Sequence, residues 1–445
     1  MKFFGIAFCF FVLLSCSNEQ EVDYRFKNLT SAESGIHFKN TLTNTPEWNA
    51  LNYLYFYTGS GVAAGDFNND GFDDLYFVSN QENDHLYLNN GDLHFENVSE
   101  ASGITAPEGW STGVTTVDIN ADGLLDIYVS RLGKHMRMRG TNLLYVNQGV
   151  DESGIPKFKE QAADYGLDLV GFNHQAAFFD YDLDGDLDLY LMTNFFYDPR
   201  GKTTERIVGY DPNKNVIVFP EFKKFYGITG RVGDVVSHDT VGQSDRLLKN
   251  NGDGTFTSQT KEGELIGKGN SALWWDPDFD GRPDLFVAND FKDPDFYLKS
   301  QPNGGFKHAI KSTVPHTAWF SMGTDSADLD GDGLPDLLVA DMSGTNHYKQ
   351  KIGMGAMSAS VEFLTTAFPR QYMRNAVFLN SGTDRLREAS HMTGLANSDW
   401  TWTVRLSDFD NDGLVDVFFT NGMAVNLNVA DNSEATKIYP GETEW

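Results

Sequence analysis

Six segments of this chain share one nine-residue pattern, Asp-x-(Asp/Asn)-x-Asp-Gly-x-x-Asp, and each runs directly into an apolar stretch. They begin at Asp66, Asp118, Asp180, Asp276, Asp328 and Asp408, at spacings of 52, 62, 96, 52 and 80 residues. An oxygen-bearing side chain at every second position, with a glycine to turn the backbone, is how a short loop wraps a hard cation. Recurrence at this period marks a repeat architecture, in which each unit buries its apolar faces against its neighbours.

Places 1, 3, 5 and 9 of the first loop are Asp66, Asn68, Asp70 and Asp74. The others read Asp118-Asn120-Asp122-Asp126, Asp180-Asp182-Asp184-Asp188, Asp276-Asp278-Asp280-Asp284, Asp328-Asp330-Asp332-Asp336 and Asp408-Asp410-Asp412-Asp416. Place 7 would offer a backbone carbonyl, from Phe72, Leu124, Asp186, Arg282, Leu334 and Leu414. Oxygen ligands without Cys or His suit calcium or magnesium, and the ligand number with a carbonyl favours calcium, about six ions in all. An EF-hand shares the first half of this loop but needs an acid at place 12 and flanking helices. Place 12 is Phe77, Val129, Leu191, Val287, Val339 or Phe419, all apolar, so that reading fails in every loop. Asn68 and Asn120 replace a carboxylate, which predicts weaker binding in the first two loops.

The formal charge of −29 has the same source. Twenty-two carboxylates stand at ligand places, so bound divalent ions would offset much of the acidity. A surface this acidic repels phosphate backbones, which argues against nucleic acid as a partner.

Residues 1–15 read as a leader: Lys2, then an apolar run from Phe3 to Leu14 that is too short to span a bilayer. It ends in Leu13-Leu14-Ser15-Cys16, which resembles a bacterial lipobox. The resemblance implies lipid on Cys16, an outer-membrane lipoprotein at the cell surface or facing the periplasm, and membrane contact through that anchor alone. Residues 16–24 read as a polar tether. Cys9 and Cys16 are the two cysteines, so a mature chain would hold no disulfide, and the metal loops become its natural cross-links.

Each loop is preceded by a short strand pattern and followed by a run such as Leu75-Tyr76-Phe77-Val78 or Leu189-Tyr190-Leu191, continuous enough to be buried on both faces. A third strand ending in an Asn-Gly type turn follows at 86–91, 144–149, 247–252 and 377–382, and a fourth such as Phe95-Glu96-Asn97-Val98 closes the unit. Four strands repeated radially predict an all-β fold, a β-propeller of six to seven four-stranded blades with calcium loops between first and second strands, over residues 25–430. Long spacings place insertions at 195–244 and 341–373, both between second and third strands. Residues 25–37 echo 94–104, as if an N-terminal strand completed the last blade. No third-strand turn follows Asn421-Gly422, so either the last blade is thin or the chain is part of a longer protein. Residues 431–445 read as a polar tail.

Repeats of this form resemble the FG-GAP/VCBS family, which implies propellers of the integrin α-subunit kind with calcium in the hairpin between a blade's first two strands. Gln371-Tyr372-Met373-Arg374-Asn375 and Asp399-Trp400-Thr401-Trp402 are similar to the bacterial branch related to cartilage acidic protein, the ASPIC/UnbV group.

An aromatic residue precedes most loops by eight or nine positions: Tyr57, Trp110, Phe172, Trp319 and Trp400, with His174 at a similar height. These would ring the channel mouth away from the metal loops, either as a stacking surface for sugars or as packing between blades. Gly-x-Ser-x-Gly, His-Glu-x-x-His and a phosphate-cradling loop are absent. Arg131, Lys134, His135 and Arg137 form the one cationic cluster near the mouth. The expectation is a calcium-stabilised, non-catalytic envelope module that binds a glycan or protein ligand. The alternatives are a polysaccharide lyase and a periplasmic assembly scaffold.

Overall fold

A computed structural model describes residues 26–422, apart from positions 47, 51, 105–108, 136–137, 195–197, 199–202, 204, 233–234, 262–263, 292 and 353–367. The leader, Cys16, Arg137 and the tail 431–445 therefore lie outside the described residues.

Five four-stranded sheets and one three-stranded sheet succeed one another along the chain, so the described residues make a propeller of six blades. In blade 1 the strands are Gly61–Gly65, Asp74–Val78, His85–Asn89 and Phe95–Asn97, paired antiparallel in sequence order. Blade 2 runs Trp110–Val117, Asp126–Leu132, Leu143–Val150 and Pro156–Glu160. Blade 4 runs Gly269–Trp275, Asp284–Asn289, Phe296–Ser300 and Phe306–His308.

Blades 3 and 5 carry long excursions between second and third strands. Blade 3 pairs Asn173–Phe179 and Asp188–Thr193 with Arg246–Asn250 and Phe256–Ser258. Its intervening chain forms two hairpins of its own, Val208–Tyr210 with Val216–Val218 and Tyr226–Val232 with Val235–Thr240. Blade 5 pairs Thr324–Ala327 and Asp336–Val339 with Ala376–Leu379 and Arg387–Glu388. Between them, Arg370–Tyr372 lies parallel to His316–Ala318. Blade 6 holds Asp399–Ser407 and Asp416–Asn421, with Met342–Ser343 bridging to it from blade 5.

First strands of successive blades pack against each other, which makes them the inner ring. Side chains stitch this ring. Thr112 Oγ1 donates to the Asn173 carbonyl at 2.9 Å, Thr115 Oγ1 to Ala176 at 2.7 Å, and the Leu406 amide to Asp325 Oδ2 at 2.9 Å. In blades 2 to 5 the second strands are buried along their whole length, as their continuous apolar runs require. The core lies between blades, as in the cluster of Tyr76, Val78 and Leu86 with Ile127, Val129 and Tyr145.

Each of blades 1 to 5 is pegged at both ends by a buried polar residue just before or after a strand. At the end away from the loops, an amide at or near the end of the second strand donates to a side chain placed ahead of the third. These pairs are Ser79 to Asp84 at 2.8 Å, Arg131 to Asn142 at 2.8 Å, Thr193 to Asp245 at 2.7 Å, Asn289 to Asp295 at 2.9 Å and Asp341 to Asn375 at 2.7 Å. Asn375, from the Gln371–Asn375 stretch, thus has a structural task. So does Gln371, whose Nε2 donates to the carbonyls of Phe291 at 3.1 Å and Ala318 at 3.3 Å.

Candidate metal loops and the opposite face

All six loops adopt one backbone form. The glycine at place 6 lies in the left-handed region, from Gly281 at φ 78° to Gly185 at φ 97°, where a Cβ would be strained. Place 4 is left-handed too, and only the fifth loop has glycine there: Asn69, Ala121, Leu183, Phe279 and Asn411 sit at φ 52–61°. Two consecutive turns of this hand draw places 1, 3 and 5 to one side.

Backbone donors orient the acids identically. The place-1 carboxylate accepts the amides of places 5 and 6, as Asp66 does from Asp70 at 3.0 Å and Gly71 at 2.8 Å, and Asp408 from Asp412 at 3.0 Å and Gly413 at 2.8 Å. The place-5 carboxylate accepts the place-7 amide, from Phe72, Leu124, Arg282, Leu334 and Leu414 at 2.9 Å and from Asp186 at 3.2 Å.

Place 9 is different in the first five loops, where it is a buried hinge between loop and third strand. Asp74 takes the Phe67 amide on Oδ2 at 3.0 Å and the Asn89 amide on Oδ1 at 2.8 Å. Asp126, Asp188 and Asp336 repeat this with Ile119 and Asn147, Tyr181 and Asn250, and Leu329 and Asn380. In the fourth loop Pro277 has no amide hydrogen at the equivalent position, and the Tyr297 hydroxyl donates to Asp284 Oδ2 instead. Burial pushes these carboxyls up, to about 6 for Asp74, Asp126 and Asp284 and about 7 for Asp188. Neighbouring loop acids push Asp74, Asp126 and Asp188 the same way, against the pull of their backbone donors. A divalent cation would reverse that balance.

The loops differ in what faces their acids. In the first two, Asn68 Nδ2 donates to Asp70 Oδ2 and Asn120 Nδ2 to Asp122 Oδ2, both at 2.9 Å, so an amide closes the loop. In the third, Lys249 from the third strand pairs with both Asp182 and Asp184. In the fourth, Lys299 from the matching strand position pairs with Asp278 at 2.8 Å, and the Arg282 guanidinium pairs with Asp280. Burial alone would raise Asp278, yet Lys299 holds it below its usual range. The fifth loop gathers Asp328, Asp330 and Asp332, and the sixth Asp408, Asp410 and Asp416, with one oxygen of each within 4.8 Å of the others. Asp180, Asp182 and Asp188, and Asp276, Asp278 and Asp280, meet the same limit. This all-carboxylate donor set fits a hard divalent cation. The two lysines were not anticipated; their signal was a charged residue where blades 1, 2 and 5 have Leu88, Val146 and Leu379.

The mouth at the other end is covered by the chain that leads into blade 1. Tyr53, Tyr55 and Phe56 pack with Trp110, Leu132 and Phe172, and the Tyr55 hydroxyl donates to Asp290 Oδ2 at 2.5 Å, joining blade 1's leading segment to blade 4. Trp110 and Phe172 are buried beneath it, and Trp319 is buried beside Phe320, Met322 and Met342. Tyr57, His174 and Trp400 are half-buried. The aromatic ring is thus assembled largely as packing. Of the cationic cluster, Arg131 and His135 are buried, His135 against Trp48 and Phe172, while Lys134 is exposed.

Residues 66–129 and 276–339 match the model of the FG-GAP-like repeat. No curated protein matches the chain. Among solved structures it is similar to an Agrocybe aegerita lectin described by its specific recognition of non-reducing terminal N-acetylglucosamine, at 14% identity and a TM-score of 0.32, over 81% of this chain and 85% of that one. It is also similar to the V. cholerae biofilm matrix protein Bap1, at 15% identity and a TM-score of 0.30, over 64% of this chain and 35% of that one. The chain carries FG-GAP-like repeats within a six-bladed β-propeller.

Proposed function

We propose that this propeller is a calcium-stabilised, non-catalytic binding module of the cell envelope, carried on a lipid anchor at Cys16, for a glycan or protein ligand. The observation that supports this most is the division of labour between its two ends. Antiparallel topology sends all six acidic loops to one end, where each ties a first strand to its second, and sends both long insertions to the other.

The loops suit stiffening better than chemistry. Their carboxylates are committed to backbone amides, and each place-9 acid in the first five blades locks the loop to a third strand. Extracellular calcium modules bind at about 10⁻⁴–10⁻³ M, which at millimolar calcium adds ~1 kcal/mol per site. Several such sites would add up in a fold without disulfides.

Three measurements test the reading. Thermal unfolding with calcium and with chelator should differ clearly, and coincident midpoints would remove the stabilising role. A glycan and protein array should give retention without turnover, whereas released unsaturated sugar would favour the lyase. Protease accessibility on intact cells separates a surface module from a periplasmic scaffold.

A further inference from the structure

On the insertion side of blade 3, a cavity of about 740 Å³ is lined by Lys134, Lys223, Lys224, Arg246 and Lys261. Such a gathering of cations is unexpected in a chain with 34 Lys and Arg against 63 Asp and Glu. They come from four separate parts of the chain: the segment after blade 2's second strand, the insertion, blade 3's third strand and the segment after its fourth. Among the described residues, Lys134, Lys223, Arg246 and Lys261 form no ion pair with a carboxylate. The Lys261 backbone amide, not its ammonium, donates to Glu264 at 3.2 Å.

The lining includes one carboxylate, Asp245, and it is turned away. It is fully buried, accepting the Tyr190 hydroxyl at 2.6 Å and the Thr193 amide at 2.7 Å. The floor is built by close backbone packing. A Cβ on Gly242 would lie 2.0 Å from the Gly267 carbonyl, and Gln243 accepts the Phe172 amide at 3.0 Å while its neighbour Ser244 pairs with Ile266. Ser244, Ser258, Thr260 and Gln243 add hydroxyl and amide groups to the wall, beside the apolar Val170 and Ile266.

We infer that this cavity binds an acidic oligosaccharide, or the acidic end of a longer glycan, through its carboxylate or sulfate groups. The inference rests on the glycan-binding reading above and names the ligand class. Lys134, Lys223, Arg246 and Lys261, which pair with no carboxylate among the described residues, supply charge recognition, hydroxyls and amides match sugar hydroxyls, and the volume suits a small number of sugar rings. A duplex nucleic acid is too wide for such a cavity, and the acidic remainder of the surface would repel its length.

The test uses the full described chain with three probes: a sulfated heparin-derived hexasaccharide, an oligogalacturonate hexamer and neutral cellohexaose. Titration calorimetry is run in calcium and in chelator, at low and high salt. At least one acidic probe is expected to bind, to weaken with salt, and to lose about tenfold or more in affinity in the triple variant Lys223→Ala, Lys224→Ala, Lys261→Ala. These lysines are exposed, so the variant's unfolding midpoint should match wild type and exclude misfolding. Binding of acidic probes that survives the triple variant overturns the inference, including the case in which calcium on the acidic loops bridges them. Equal binding of cellohexaose overturns it but leaves the glycan-binding reading intact. Failure of every probe overturns it as well, and a silent glycan array would then remove the broader reading.

Discussion

The ring of Phe26 lies 6.0 Å from that of Phe418 in the last described strand of blade 6, and 5.9 Å from Phe409 in its loop. A few residues on, Gly35 packs on blade 1 so closely that a Cβ would sit 2.3 Å from the Phe95 carbonyl. Gly103 makes the same approach to Phe158 of blade 2, where a Cβ would lie 3.1 Å from the carbonyl. The N-terminal segment therefore stands between blades 6 and 1 as the end of blade 1 stands between blades 1 and 2.

This closure predicts two costs. Gly35 sits at φ 75°, so Gly35→Ala should destabilise by about 1–2 kcal/mol or more, from left-handed strain and the clash with Phe95. Phe26 is 63% exposed, and Phe26→Ala should cost only about 1 kcal/mol. Chemical unfolding measures both. If Gly35→Ala unfolds at the wild-type midpoint, the ring does not depend on this contact.

Lys249 and Lys299 occupy the place a cation would neutralise, so metal-free loops 3 and 4 should be better compensated than loop 5. Calcium should fill the fifth loop more tightly than these two, by about tenfold. Lys249→Leu should raise calcium affinity in its loop and lower the midpoint in chelator, so the calcium-dependent rise in midpoint grows. Asp330→Asn should remove affinity from the tight class. Calorimetric titration checks both variants. A single class of site, indifferent to Lys249→Leu, would sink the idea.

The loops were legible because a turn with left-handed residues at places 4 and 6 and acids locked to its own amides imposes a strict residue spacing, and blades 1, 2, 3 and 5 followed from their Asn-Gly type turns. Blade 4's third strand escaped because its turn follows Gln301-Pro302, although Asn303-Gly304 carried the signal. The pairing of Lys249 and Lys299 with the loop acids escaped for another reason. Only the register of third strand against loop shows that this position faces the acids. The burial of Trp110 and Phe172 depends on Tyr53, Tyr55 and Phe56 folding over them, a contact between segments that no local pattern encodes. Blade count was open between six and seven because the closing segment contains no loop of its own.

Phe279 holds place 4 of its loop at φ 52° while 61% exposed, so it bears left-handed strain without compensating burial. Asparagine tolerates this region better than an aromatic residue. Phe279→Asn should therefore stabilise by about 0.5–1 kcal/mol. Urea midpoints of the two proteins decide it, and a lower midpoint for the variant would mean that the ring makes a contact worth more than the strain.

Asp290 and Asp245 contribute to the pH response of the metal-free protein, alongside Asp295 and the place-9 carboxyls, which burial raises in the same direction. Burial pushes each carboxyl up to about 7, against the Tyr55 hydroxyl and Phe291 amide at Asp290 and against the Tyr190 hydroxyl and Thr193 at Asp245. In the unfolded chain both titrate near 4. The folded state thus binds the proton more tightly, and the stability from these groups is complete below about pH 4 and drains as pH climbs to about 7, by up to about 1.4 kcal/mol per unit for each group. In chelator, the unfolding midpoint should be lower at about pH 8 than at about pH 5. Asp290→Asn cannot ionise and should flatten that slope, while Tyr55→Phe, by removing a donor to the charged form, should steepen it. Circular dichroism melts across this range read all three proteins. A wild-type midpoint that rises with pH in chelator would mean that these carboxylates are not the groups whose burial governs the fold's response.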